Sequence, residues 1–101
     1  MSKKDEGKYE PTLVYPSFIR ALATVRRYGI NKHGSSIDWR TTPPVDHYDA
    51  MGRHLNAILA GEEFDSVSGM PHLWHLGANV MFEVERDYGH MFDMFTRFPR
   101  T

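Results

Sequence analysis

The stretch from Pro71 to Tyr88, PHLWHLGANVMFEVERDY, decides how the rest of the chain is read. Leu73, Leu76, Val80, Met81 and Val84 recur at three- and four-residue intervals, the spacing of one face of an α-helix. The segment is therefore predicted to be a helix over 71–88 that buries this face and stops at Gly89. Pro71 suits the first helical position, because the donor it lacks would be unpaired there in any case. At about 100° per residue, His72, His75 and Asn79 fall in one stripe away from Leu73, Leu76 and Val80. A polar line on an otherwise apolar helix has three physical uses: exposure to solvent, a buried hydrogen-bond network, or contact with a ligand or metal.

The same periodicity occurs twice upstream. Tyr48, Met51, Leu55, Ile58 and Leu59 predict a helix over 45–60 that Gly61 stops, and Phe18, Ala21, Leu22, Val25 and Tyr28 predict another over 16–28. Pro16 suits its entry, and Gly29 can take the left-handed conformation of a C-cap. Residues 29–44, GINKHGSSIDWRTTPP, read as a long ordered loop with Trp39 as its anchor. Residues 62–70, EEFDSVSGM, form a short acidic turn, which makes the second and third helices antiparallel neighbours. Residues 1–10 are a charged arm without apolar periodicity, and Met91, Phe92, Met94, Phe95 and Phe98 load the other end with apolar surface. The expected fold is all-α: one domain over 11–101, a small bundle of three main helices with a long ordered loop and an apolar C-terminal tail. Three such helices make a thin core, and the tail offers aromatic surface, so a homodimer or higher homo-oligomer is expected.

Composition narrows the function. The 101 residues are the size of one ordinary domain, and 41% hydrophobic with 25% charged residues describes a folded protein. Lys and Arg number 12 against 13 Asp and Glu, a net charge of −1, so no global positive field exists to hold a long nucleic acid. There is no cysteine, so a metal would have to be held by His, Asp and Glu. No apolar run approaches the roughly 18 residues of a membrane span, and MSKKDEGKYE lacks the apolar core of a signal peptide. No membrane partner and a cytoplasmic address are expected.

Six histidines are many for this length, and His47, His54, His72 and His75 fall in one region. If the turn at 61–70 is short, the end of the second helix lies beside the start of the third, which brings His54 toward His72 and His75. Asp65 and Glu62 sit in the turn between them. Two histidines at i and i+3 with a carboxylate nearby can share a divalent ion, and the candidate metal set is His54, Asp65, His72 and His75. The same histidines would equally serve as hydrogen-bonding core groups. The third helix's N-terminus adds backbone donors and a positive dipole end, so phosphate and metal are rival occupants of one place. Arg53 either pairs with Asp49 at i and i+4 or reaches that phosphate. Lys32, Gly34 and Trp39 could supply a phosphate contact, a close backbone approach and a stacking surface for a nucleotide; equally, they could be a solvated lysine, a turn glycine and an anchor.

The runs YGINKHG, DW, YDAMGRHL and GEEFDSVSGMPHLWHLGANV, spread over Pro16 to Glu85, resemble a phage-associated family of N-terminal domains of dATP/dGTP diphosphohydrolases. The spacing of His54, Glu62, Asp65, Ser68-Gly69, His72, His75 and Asn79 carries the resemblance. The family usually shows Lys-Tyr-Gly and Asn-Trp where this chain has Lys32-His33-Gly34 and Asp38-Trp39. The resemblance implies a helical, nucleotide-related protein, of the host cytoplasm if phage-encoded. MazG-type hydrolases hold magnesium with paired carboxylates one turn apart on two helices. Here the second helix offers no Glu-x-x-Glu, and Glu83 and Glu85 do not share a face. Residues and resemblance together make Lys32, Trp39, Arg53, His54, Ser68, His72, His75 and Asn79 the candidate phosphate- and ligand-binding set, with no catalytic residue assigned. The expected partner is a nucleotide or nucleotide-derived small molecule. Three functions remain open: metal-assisted hydrolysis of a nucleotide phosphoanhydride, sequestration of a nucleotide or cyclic nucleotide without turnover, and a structural or interaction role.

Overall fold

The computed structural model describes residues 8–91. Three helices carry the fold: α1 over Pro16–His33, α2 over Pro44–Leu59 and α3 over His72–Glu83. Among the described residues there is no strand, only a single bridge between Phe64 and Pro71, so the all-α bundle expected from the periodicity is the one that forms. The chain continues from α3 through a π-helical turn, Val84–Tyr88, and a 3-10 turn, Gly89–Met91. Phe92, Met94, Phe95 and Phe98 of the apolar tail, and residues 1–7 of the arm, lie outside the described residues.

α3 is the central element, packed on α2 along its length and on α1 across it. A Cβ on Gly77 would stand 3.4 Å from both Leu22 and Phe18 side chains, so the missing side chain is what lets α1 approach α3 closely. α2 and α3 run antiparallel: His54 near the end of α2 meets His72 at the start of α3, while His47 near the start of α2 meets Glu83 at the end of α3.

Two expectations are corrected. α1 does not stop at Gly29 but continues for a further turn and ends at Gly34, whose φ of 87° and N–H bond to the Ile30 carbonyl (2.7 Å) make the cap. A glycine inside a helix costs only about 1 kcal/mol relative to alanine. Gly34, with Lys32 and His33 beside the negative helix end, makes the better terminus. Lys32 therefore sits on a helix, and the loop shrinks to 34–43, with a 3-10 turn at Asp38–Thr41. Trp39 anchors that loop as expected, stacked on Phe82 with centroids 4.9 Å apart and planes 13° from parallel.

The second correction concerns which faces are buried. Leu73 is 64% exposed and Val80 42%, whereas His72 is 6%, His47 6% and Glu83 3% exposed. Ala21, Val25 and Ala78 are the buried apolar residues among those described, and Phe18, Tyr48, Leu55 and Leu59 stand at the surface. The polar line of α3 points inward and part of its apolar face points out. The reason is packing geometry: α1 and α2 meet α3 on the side that carries the histidines, so the buried seam is built from hydrogen-bonded polar groups and small apolar ones.

Candidate functional site

Every predicted ligand residue except His72 lines one groove of about 810 Å³, as does Asp65. α1 contributes Lys32, the loop Trp39, α2 Arg53 and His54, the 60–71 connection Asp65 and Ser68, and α3 His75 and Asn79.

The connection after α2 is held rigid by its own backbone. Asp65 exchanges bonds across the turn, its N–H to the Met70 carbonyl (2.8 Å) and its carbonyl from the Gly69 N–H (2.8 Å), with Gly69 at φ 76°. Asp65 Oδ1 accepts the N–H groups of Val67 (2.9 Å) and Ser68 (2.8 Å). The Ser68 N–H bond leads in holding the Asp65 carboxyl below its usual range, against the opposing desolvation and with help from Val67. The His72 N–H is taken by the Glu63 carbonyl (2.9 Å), so one backbone donor expected to be free for an anion is already used.

His72 lies behind the groove wall with both ring nitrogens engaged. Its Nε2 meets Glu62 Oε2 at 2.9 Å and its Nδ1 faces His54 Nδ1 at 2.8 Å. Glu62 accepts the Nε2 proton, which leaves Nδ1 of His72 as a lone pair aimed at His54. His54, Asp65 and His72 each offer a ligand atom within 4.8 Å of the others. His75 stands beside this group and not in it: its Nε2 accepts the Ser68 hydroxyl at 2.7 Å, its ring stacks on His54 at 4.9 Å, and Tyr28 meets it edge-on. Burial is the main cause that lowers both the His54 and His75 pKa. Neighbouring His75 and His72 add to the effect at His54, and His72 adds to it at His75 against the attraction of Asp65. Neutral imidazoles beside an ionised carboxylate are the forms that bind a metal ion.

Arg53 reaches the groove and forms no ion pair with Asp49; the ion pairs among the described residues are His47–Glu83, His72–Glu62 and Arg86–Glu83. The Asn79 amide donates to the His75 carbonyl (2.8 Å). Trp39 has Phe82 on its ring and the Arg40 guanidinium 4.6 Å from its centroid, which leaves little of its faces for a stacked base.

Sequence reasoning missed the other end of the α2–α3 pair. Glu83 Oε2 takes both the His47 Nδ1 proton (2.5 Å) and Arg86 Nη2 (2.5 Å), and Arg86 Nη1 also donates to the carbonyls of Thr42 (2.6 Å) and Arg40 (3.2 Å). Desolvation would raise the Glu83 pKa, but the His47 hydrogen bond and the Arg86 charge outweigh it and hold the carboxyl below its usual range. A signal was present: His72, His75 and Asn79 continue at helical spacing to Glu83, so the polar line is one stripe down the whole of α3.

The family model described as dATP/dGTP diphosphohydrolase, N-terminal, matches residues 1–93, and the chain belongs to that family. It is similar to a protein of Salmonella phage PMBT28 named dATP/dGTP diphosphohydrolase, with 29% identity over 80 residues. The matched part is 79% of this chain and 27% of the phage protein, so the chain spans about a quarter of that relative's length. No solved structure matches it. Among the described residues, no helix is long and apolar enough to cross a membrane.

Proposed function

We propose that the groove binds a deoxynucleoside triphosphate, with its phosphates at the His54–Asp65–His75 end, and that a divalent ion on His54, Asp65 and His72 assists cleavage of a phosphoanhydride bond. The observation that carries this reading is the convergence of those three side chains within 4.8 Å at the end of a groove also lined by Arg53 and Lys32. Two imidazoles and one carboxylate suit manganese, iron, cobalt, nickel or zinc better than magnesium or calcium, which favour all-oxygen sites. When bound, such an ion supplies Lewis-acid charge to phosphate oxygens and a more acidic water. The chain's own residues do the rest. Arg53 and Lys32 answer phosphate charge, Glu62 orients His72, and the 65–70 turn fixes Asp65 and, through Ser68, His75.

The name of the phage relative supports a nucleotide as substrate and hydrolysis as reaction. A second reading, binding without turnover, is favoured by the 27% coverage: the named activity can reside in the part of the relative that this chain does not match. The outward apolar residues of α2 and α3, Leu55, Leu59, Leu73 and Val80, support the homo-oligomer, for which light scattering is the check. A role in phage nucleotide metabolism would put the protein in the cytoplasm of the infected cell.

One experiment separates the readings. The protein is incubated with deoxynucleoside triphosphates and cyclic nucleotides, with manganese, zinc, magnesium or a chelator, and the mixture is chromatographed before and after denaturation. Metal-dependent products are the expected result. Unchanged nucleotide released on denaturation supports binding alone, and the absence of both products and released nucleotide overturns the nucleotide role.

A further inference from the structure

Resting on the nucleotide reading above, we propose that His47, positioned by Glu83 and Arg86, is a specificity-determining residue that reads an N–H donor on the nucleobase. His47 lines the same groove as His54, seven residues and so about 10 Å further along α2. That separation matches the distance between the phosphate and base ends of a nucleotide. The groove's wall at this end is aromatic and apolar: Phe82 lies 5.2 Å from the His47 ring, with Val25 and Trp39 beside it.

The chemistry of the ring follows from its partners. Glu83 is held as a carboxylate, an acceptor only, so His47 Nδ1 carries the proton in their 2.5 Å bond. Arg86 binds the same carboxylate oxygen from the other side. With the Nδ1 proton directed at Glu83, the Nδ1–H tautomer of the ring presents Nε2 as a lone-pair acceptor. Nε2 makes no hydrogen bond to any described residue, yet it is not sealed in: the buried side-chain polar atoms without a partner among the described residues are Glu83 Oε1 and Arg86 Nε. An unsatisfied acceptor that reaches the groove, with its tautomer locked from behind, prefers a ligand group that donates. A nucleobase whose exocyclic amine faces His47 fits, and one with a carbonyl or a bare carbon at that position does not. A site built around such a bond discriminates strongly, because the analogue that lacks the donor leaves the acceptor desolvated and unpaired.

The test compares binding of dATP with that of purine 2′-deoxyriboside triphosphate, which lacks the amine, to the unmodified protein by calorimetry. dATP is expected to bind roughly ten-fold or more tightly. His47→Leu should bring the two affinities together while leaving the phosphate-end contacts in place. If that variant does not fold, the ¹⁵N resonance of His47 Nε2 in the unmodified protein gives the same answer: it should move with dATP and not with the analogue. Equal affinities in the unmodified protein, or an unmoved resonance, overturn the assignment of His47 while the nucleotide reading stands. Failure of both nucleotides to bind overturns the nucleotide reading, and this inference with it.

Discussion

The two ends of the α2–α3 pair use the same residue types to opposite effect. At one end His54, His72 and His75 crowd together with Asp65, half-exposed apart from His72, and satisfy one another with bonds that a ligand could replace. At the other end buried His47 and Glu83 and half-buried Arg86 form a network that also pins the 40–42 loop through Arg86. The difference teaches that a polar stripe does not have one role along its length. Where the connecting turn leaves the helices open to solvent, the stripe can serve chemistry; where the 34–43 loop packs against it, the stripe ties the fold together and only His47 of that network lines the groove.

The largest expected effect breaks the buried end. Glu83→Ala would leave the Arg86 charge and the His47 donor buried without their common acceptor, and should cost about 3–5 kcal/mol, a large share of a small domain's stability. Urea denaturation measures it, and a loss below about 1 kcal/mol would show that the network is not what holds this end.

At the open end the effect should fall on ligand handling and spare the fold. Manganese or zinc in hundred-fold excess over its dissociation constant should stabilise the protein by about 2.7 kcal/mol. His54→Ala and Asp65→Asn should abolish that gain. His75→Ala should weaken nucleotide binding with helicity intact, whereas His72→Ala should also cost stability, because His72 is 6% exposed and bonded on both sides. Thermal melts with and without metal, followed by circular dichroism, read both quantities. A metal gain that survives His54→Ala removes the metal assignment.

Acid should separate the two ends without any mutation. The folded-state pKa values of His54 and His75 are lowered, so as pH falls below about 6.5 the unfolded chain takes up protons first and stability declines until the folded histidines also titrate. Glu83 is also lowered, but from the carboxylate range, so its contribution persists through that window and is lost only in stronger acid. Denaturant midpoints measured from pH 7.5 to 3 should therefore fall in two stages. His54→Gln with His75→Gln should flatten the first stage and leave the second.

The smallest effects concern the α1 wall that both ends share. A Cβ at Gly29 meets nothing within 4 Å, so Gly29→Ala should stabilise the protein by up to about 1 kcal/mol. Gly34→Ala should destabilise it by about 1–2 kcal/mol, because φ of 87° suits only glycine well. Opposite signs in chemical denaturation would confirm where α1 ends; two stabilising substitutions would contradict it.

The existence and order of the three helices were legible because apolar spacing is a local property, and so was the meeting of His54 with His72 across a short turn. The end of α1 was not, since Gly29 and Gly34 are both admissible caps and their relative merit depends on what the following turn packs against. Leu73 and Val80 misled for a related reason: periodicity identifies an apolar face but does not say whether it turns toward the neighbours this chain supplies.

What the sequence by itself determined is therefore the helical class and the polar line of α3, with the candidate histidines on it. Only the tertiary structure decided that this line is the inner seam, that His75 pairs with Ser68 beside the His54–Asp65–His72 group, and that Glu83 binds His47 and Arg86. The physical reason is range. Periodicity and capping act over a few neighbouring residues, whereas the partner of a buried charge is chosen by how whole helices dock, and His47 and Glu83 are 36 positions apart in the chain.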